Sequence, residues 1–68
     1  MKKPLTILRA YANYKRDLLI ADTEIREDIK HSIIAHINSM ENDFEFNYIS
    51  LDEAMDGIAN AEDLICNH

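Results

Sequence analysis

Residues 4–20, PLTILRAYANYKRDLLI, decide the fold class of this chain. The apolar residues of this stretch recur at helical spacing and form one row: Ile7, Tyr11, Tyr14 and Leu18. Further apolar residues flank the row and widen it into a stripe: Leu5, Leu8, Ala12 and Leu19. Pro4 suits the first turn of a helix, where its missing N–H has no intrahelical partner to lose. The stretch therefore predicts an amphipathic helix whose opposite face is polar and basic.

A second helix is predicted over residues 23–41. Asp22 and Thr23 are both residue types that cap helix N-termini, because their side-chain oxygens accept from unpaired N–H groups. The acids that follow would meet the positive end of the helix dipole. The apolar row of this helix is Ile25, Ile29, Ile33, Ile37 and Met40, widened by Ile34. Two adjacent capping residues have little use within a helix, so a bend is favoured over one continuous helix.

Residues 41–50, ENDFEFNYIS, break the helical period. Phe44, Phe46 and Tyr48 alternate with polar residues, and a period of two indicates a short extended segment. Two interpretations remain open for this segment. It is either a linker whose aromatic side chains fill the core, or a strand that pairs with its equivalent in a second copy.

A third, shorter helix is predicted to begin after Ser50. Ser50 and Glu53 have the spacing of a capping box, in which each side chain satisfies a backbone N–H of the other residue. The apolar row of this helix is Leu51, Met55, Ile58, Ala61 and Ile65. Gly57 lies within it and weakens the helix by about 1 kcal/mol relative to alanine, so a kink or fraying is expected at this position.

The 68 residues form one domain, 1–68, which is predicted to be all-α: a helical hairpin, an aromatic extended linker and a shorter third helix. A chain of this size buries only about 60% of its unfolded surface. Cys66 is its single cysteine, so no internal disulfide can stabilise it. The apolar stripes of the first two helices are wider than one hairpin partner can bury, and a symmetric homodimer held by these helices is therefore predicted. Its predicted interface consists of Tyr11, Tyr14, Ile25, Ile29, Ile33 and Ile37.

The sequence also favours a cytoplasmic protein that does not enter a membrane. Its longest apolar run is Leu18–Ala21, four residues, against roughly 20 for a membrane-spanning helix. No apolar segment of the kind found in signal peptides follows Lys2 and Lys3. A single cysteine fits a reducing compartment.

No pattern of residues indicates catalysis, a metal or a cofactor. His31 and His36 are five residues apart and point to different sides of a helix, whereas a metal pair needs a spacing of three or four. Cys66 and His68 lie at the chain end, and no glycine-rich loop is present to hold phosphate. The sequence predicts a protein that is not an enzyme and that needs no cofactor.

Charge is divided unevenly along the chain. Residues 1–20 carry five lysines or arginines against Asp17 alone, whereas residues 21–68 carry two against twelve acids, and the net charge is −6. The candidate partner-binding residues are the basic Lys2, Arg9, Lys15 and Arg16 and the acidic Glu41, Asp43 and Glu45. The two sets can attract each other, within one chain or between chains, or can attract partners of opposite charge.

The function predicted from these features is a non-catalytic protein–protein interaction module, a small acidic regulator, adaptor or inhibitor acting as a homodimer. The alternative is a regulator that binds nucleic acid, with the basic first helix contacting phosphates. The acidic remainder of the chain makes nucleic acid the less favoured partner, because it would repel the same backbone.

Overall fold

The computed structural model describes residues 4–66, and all regular secondary structure in that range is α-helical. The helices are α1 (Pro4–Ala21), α2 (Glu27–Glu45), α3 (Leu51–Ala59) and α4 (Ala61–Cys66). The all-α class predicted from the sequence is confirmed. None of the helices within this range has the length and apolar character needed to cross a bilayer.

Helix α1 begins at Pro4, as the sequence predicts, but it faces the core with a flank of its apolar stripe. Leu8 and Ala12 are fully buried and Leu19 is nearly so. The centre of the stripe points outward instead, and Ile7, Tyr14 and Leu18 are 44%, 59% and 49% exposed. The apolar arc of α1 is therefore wider than the surface that α2 and α3 cover.

Helix α2 begins four residues later than predicted. Its N-cap residue is Arg26, which makes no side-chain capping bond, so the prediction that Asp22 or Thr23 caps this helix is wrong. Asp22 stabilises the bend itself, since its Oδ1 accepts from the backbone N–H of Glu24 at 2.9 Å. The Asp22 carboxylate oxygen that would cap α2 therefore accepts a hydrogen bond within the bend instead.

The core is formed by small and branched side chains from all four helices. Its buried members are Leu8, Ala12, Leu19, Ile33, Ile37, Ala54, Ile58 and Ala61. Ile33 and Ile37, which the sequence assigned to a dimer interface, are each 1% exposed within the single chain. The isoleucine row of α2 is consequently satisfied without a second copy.

The predicted extended segment is helical in its first half. Helix α2 continues to Glu45, so that Phe44 packs against the core from a helical position. Asn47 then adopts a left-handed conformation with φ 63°. The N–H of Tyr48 donates to Asp43 O at 2.8 Å and that of Asn47 to Phe44 O at 3.0 Å, which is a Schellman motif. Beyond it residues 46–49 form turns and bends, and the aromatic side chains of Phe46 and Tyr48 do not fill the core, because they are 58% and 74% exposed.

The third apolar segment forms two helices in place of one. Ser50 caps α3 as predicted, and its Oγ accepts from the N–H of Glu53 at 3.2 Å. The other half of the predicted capping box differs, since Glu53 Oε1 accepts from the Ser50 hydroxyl at 3.4 Å in place of the Ser50 backbone N–H. The break comes at Asn60, the C-cap of α3, and not at Gly57. Gly57 lies where α3 approaches α2, and a Cβ there would stand 3.0 Å from Met40 Cγ and closer still to its sulfur. Its missing side chain permits this contact.

Candidate functional site

Two arginines of α1 face two glutamates of α2 and form an ion-pair cluster, here called the Arg–Glu cluster. Arg9 Nη2 lies 3.1 Å from Glu45 Oε1, and Arg9 Nε lies 3.8 Å from Glu41 Oε2. Arg16 Nη1 pairs with Glu41 Oε1. The cluster joins the basic and the acidic parts of the sequence within one chain.

Amide side chains extend the cluster around Arg16. Its Nη1 donates to Asn38 Oδ1 at 2.8 Å, and its Nη2 donates to Asn13 Oδ1. The side chains of Arg16 and Glu41 are only 20% and 16% exposed, whereas those of Arg9 and Glu45 are 50% and 43% exposed. The cluster therefore has a shielded end at Arg16 and a solvated end at Arg9.

The cluster accounts for four of the predicted site residues: Arg9, Arg16, Glu41 and Glu45. Lys15 lies apart from it, beside a cavity described below. Asp43 is partly buried on α2, where its carbonyl takes part in the Schellman motif. Lys2 lies outside the described residues.

Lys30 is a buried cation that the sequence interpretation did not single out. The residue is 6% exposed, and its Nζ donates to the carbonyl of Asp22 at 2.7 Å, just beyond the C-terminus of α1. Glu27 Oε1 lies 3.6 Å from the same nitrogen. The position of Lys30 one residue after Ile29, and three before Ile33, was a signal that its stem would lie beside the core.

Most of the positive charge in residues 4–66 is neutralised inside the chain. Arg9 and Arg16 pair with the glutamates of α2, Lys30 lies near Glu27, and Arg26 Nη2 lies 2.9 Å from Asp28 Oδ2. The acids of α3 and of the first turn of α4 have no lysine or arginine near them in sequence, since Lys30 is the last one in the chain. Acidic side chains therefore predominate among the charged residues of α3 and α4.

The exposed apolar row of α1, Ile7, Tyr11, Tyr14 and Leu18, is here called the α1 stripe. Its members alternate at spacings of four, three and four residues, which is the spacing of a coiled-coil seam. Tyr11 is partly buried against the core, while the other three are about half exposed. A seam of this kind is suited to packing against a second helix.

A small cavity of about 70 Å³ opens beside the end of the α1 stripe. Its apolar lining includes Leu18, Ile33 and Ile58, and its charged residues are Lys15, Asp22 and Glu62. Small-molecule sites commonly measure about 300–1,000 Å³, so this cavity has room for about one side chain. A second, open depression overlies the Arg–Glu cluster and is polar.

His36 is the one buried side-chain polar group in the described residues that has no hydrogen-bond partner, at its Nε2. The ring lies near Gly57 and Met40 at the contact of α2 with α3. Within residues 4–66, no group of three or more histidine, cysteine, aspartate or glutamate side chains is placed to hold a metal ion.

Comparison with known proteins finds no match to a family model, to a curated protein or to a solved structure.

Proposed function

We propose that this chain is a cytoplasmic, non-catalytic protein-interaction module, a small acidic regulator, adaptor or inhibitor that acts as a homodimer. The observation that carries the proposal is the combination of an unburied apolar seam on α1 with a surface whose cations are neutralised internally. The seam provides apolar area for contact with a protein. The anionic surface favours binding to a partner of opposite charge over other proteins.

The acidic surface is the feature that would recognise a partner. Residues 31–68 contain eight acids and no lysine or arginine, and two of those acids, Glu41 and Glu45, belong to the Arg–Glu cluster. Exposed acids on α3 and α4 include Asp52, Asp56 and Glu62. A cationic protein surface is the partner that this arrangement would attract over long range.

Capture of a partner from the host, followed by mass spectrometry, tests this part of the proposal. The Asp52→Asn/Asp56→Asn variant should retain less of the partner, and raising the salt concentration should weaken retention by the parent chain. The control is Asp17→Asn/Glu24→Gln, which removes the same amount of charge at exposed positions outside α3 and α4 and should leave capture unchanged. Equal losses in both variants, or capture of no cationic protein, would contradict it.

The homodimer is proposed to form through α1, because Ile33 and Ile37 of α2 are already buried within one chain. Ile33 is 1% exposed, so Ile33→Asp would place a charge in the monomer core and unfold the chain. Tyr14→Glu is the appropriate variant, with Ile20→Glu, 65% exposed on another side of α1, as its control. Sedimentation at tens to hundreds of micromolar should show a dimer that Tyr14→Glu dissociates and Ile20→Glu does not.

The alternative, nucleic-acid binding through the basic face of α1, has less support from the geometry. Arg9 and Arg16 would have to leave Glu41 and Glu45 before they could contact phosphates. We expect no retention of mixed-sequence DNA at physiological salt. Micromolar binding that falls steeply with salt and disappears in Arg9→Glu/Arg16→Glu would favour the alternative instead.

A further inference from the structure

We infer that the occupant of the α1 stripe is the α1 helix of a second copy, packed antiparallel so that Ile7 of each chain lies at the cavity beside Leu18 of the other. The inference rests on the homodimer in the proposed function and specifies its interface. It concerns the register and direction of the contact, which the proposed function leaves open.

The spacing of the stripe supports a helix as its occupant. Spacings of four, three and four residues place Ile7, Tyr11, Tyr14 and Leu18 on one seam, where side chains of a facing helix can insert between them. The same seam on a second copy is self-complementary when the two helices are antiparallel. Ile7 then faces Leu18 of the second copy, and Tyr11 faces Tyr14.

The distribution of charge along α1 favours the antiparallel direction. The first 16 residues of the chain contain no acid, whereas Asp17, Asp22 and Glu62 lie around the Leu18 end of the stripe, with Lys15 as a single cation beside them. A parallel pair would bring these acidic ends together. An antiparallel pair places each acidic end beside a segment that carries none, and it also opposes the two helix dipoles.

At the Leu18 end of the seam, the cavity leaves space for a side chain from the other end of the same seam on a second copy. Leu18 is 49% exposed and forms part of the wall of the 70 Å³ cavity, together with Ile33 and Ile58. Ile7 is 44% exposed near the other end of the seam. In the antiparallel register Ile7 of each chain comes level with the apolar wall of the cavity on the other chain, and buried anchors of this kind supply most of the affinity of an interface.

The contact is expected to be weak and to depend on salt in a recognisable way. A seam of four side chains per chain is small beside the roughly 800 Å² per partner of a standard interface. Each chain also carries a net charge of −6, so the two copies repel each other at low salt. Salt should therefore strengthen this dimer, whereas it should weaken the binding of a cationic partner.

Disulfide trapping tests the register in full-length chains that carry Cys66→Ser. An equimolar mixture of Ile7→Cys and Leu18→Cys chains, oxidised mildly at hundreds of micromolar, should give mainly the mixed dimer. The geometry permits it because the two Cα atoms would lie near the roughly 5.5–6 Å that a disulfide prefers. An Ile20→Cys chain, exposed on another side of α1, is the control for random collision and should cross-link slowly.

The outcomes separate this inference from the proposed function. Faster cross-linking of Ile7→Cys chains to each other than to Leu18→Cys chains would overturn the antiparallel register. Cross-linking no faster than for Ile20→Cys, with a dimer still seen by sedimentation, would overturn the α1 interface while leaving the proposed homodimer standing. A monomeric mass at every concentration and salt would overturn both.

Discussion

Lys30 combines a buried aliphatic stem with an ammonium group that satisfies a backbone carbonyl. The carbonyl of Asp22 lies just past the last turn of α1, where unpaired carbonyls need donors, and the 2.7 Å bond from Lys30 supplies one. The charge also lies at the negative end of the α1 dipole. One side chain thus ties the start of α2 to the end of α1.

We expect most of the contribution of Lys30 to stability to come from its stem. Lys30→Ala should lower the free energy of unfolding by about 2–3 kcal/mol, because it removes both buried methylenes and the hydrogen bond. Lys30→Met keeps the stem and should cost only about 1 kcal/mol. Chemical denaturation measures both, and equal losses would show that the bond to Asp22 dominates.

Gly57 shows a conflict between helix propensity and packing at a single residue. Alanine in a helix interior is favoured over glycine by about 1 kcal/mol, but a Cβ at this position would overlap Met40. Overpacking typically costs about 1–3 kcal/mol. Because the Met40 side chain is unbranched and can move aside, the packing cost is expected to offset the gain in propensity without exceeding it.

The effect of substituting Gly57 should consequently depend on Met40. In the parent chain Gly57→Ala should change the free energy of unfolding by less than about 0.5 kcal/mol, whereas in a Met40→Ala background it should stabilise the fold by about 1 kcal/mol, because the obstructing side chain is gone. The four chains of this double-mutant cycle can be compared by thermal and urea unfolding. A full gain of about 1 kcal/mol from Gly57→Ala in the parent would contradict the close approach of α2 and α3.

At the scale of the element, the end of α2 depends on one backbone conformation. Asn47 occupies the left-handed region that glycine adopts readily, asparagine tolerates and branched residues resist. The two Schellman bonds then turn the chain away from the helix axis toward α3. The sequence contained a signal for this helix end, because asparagine often follows the last residue of a helix. The alternation of Phe44, Phe46 and Tyr48 indicated an extended segment instead.

The C-terminus of α2 should respond to residue 47 in both directions. Asn47→Gly is expected to stabilise the chain by some tenths of a kcal/mol, and Asn47→Val to destabilise it by about 1–2 kcal/mol, since a branched side chain resists positive φ. Asn60 is the matched control, because it also ends a helix but has φ −98°. Asn60→Gly should give no gain, and a gain equal to that of Asn47→Gly would count against the role assigned to the left-handed conformation.

At the scale of the whole molecule, the Arg–Glu cluster joins the two oppositely charged parts of the chain. Its two arginines differ in shielding, since the Arg16 side chain is 20% exposed and that of Arg9 is 50% exposed. Exposed ion pairs contribute about 0–1 kcal/mol, whereas removing one partner of a shielded pair leaves a charge without compensation. Arg16 should therefore contribute more to the free energy of unfolding than Arg9.

Neutralising each arginine separately tests this difference. Arg16→Gln should lower the free energy of unfolding by about 1–3 kcal/mol and lose little of that effect in high salt. Arg9→Gln should cost less than about 1 kcal/mol, and the cost should vanish in about 1 M salt. Equal, fully screened effects at both positions would show that Glu41 is as solvated as Glu45.

The features that the sequence determined by itself are those formed by residues close together along the chain. Pro4 begins a helix, Ser50 caps one and the apolar periods establish an all-α chain, because each of these signals acts through bonds within a few residues. The capping of α2 at Asp22 and the extended segment at 44–48 were mispredicted, although they too are local. In both places a competing turn, with Asp22 bonded to Glu24 or Asn47 in the left-handed region, satisfied the backbone instead.

Only the tertiary structure decided which side of each helix meets the core. The period of α1 defines a wide apolar arc, but the positions of α2 and α3 select the flank with Leu8 and Leu19 and leave Tyr14 outside. The same packing buries Ile33 within one chain and brings Arg16 to Glu41 across 25 residues of sequence. These outcomes depend on how the helices fill space together, and no single segment carries that information.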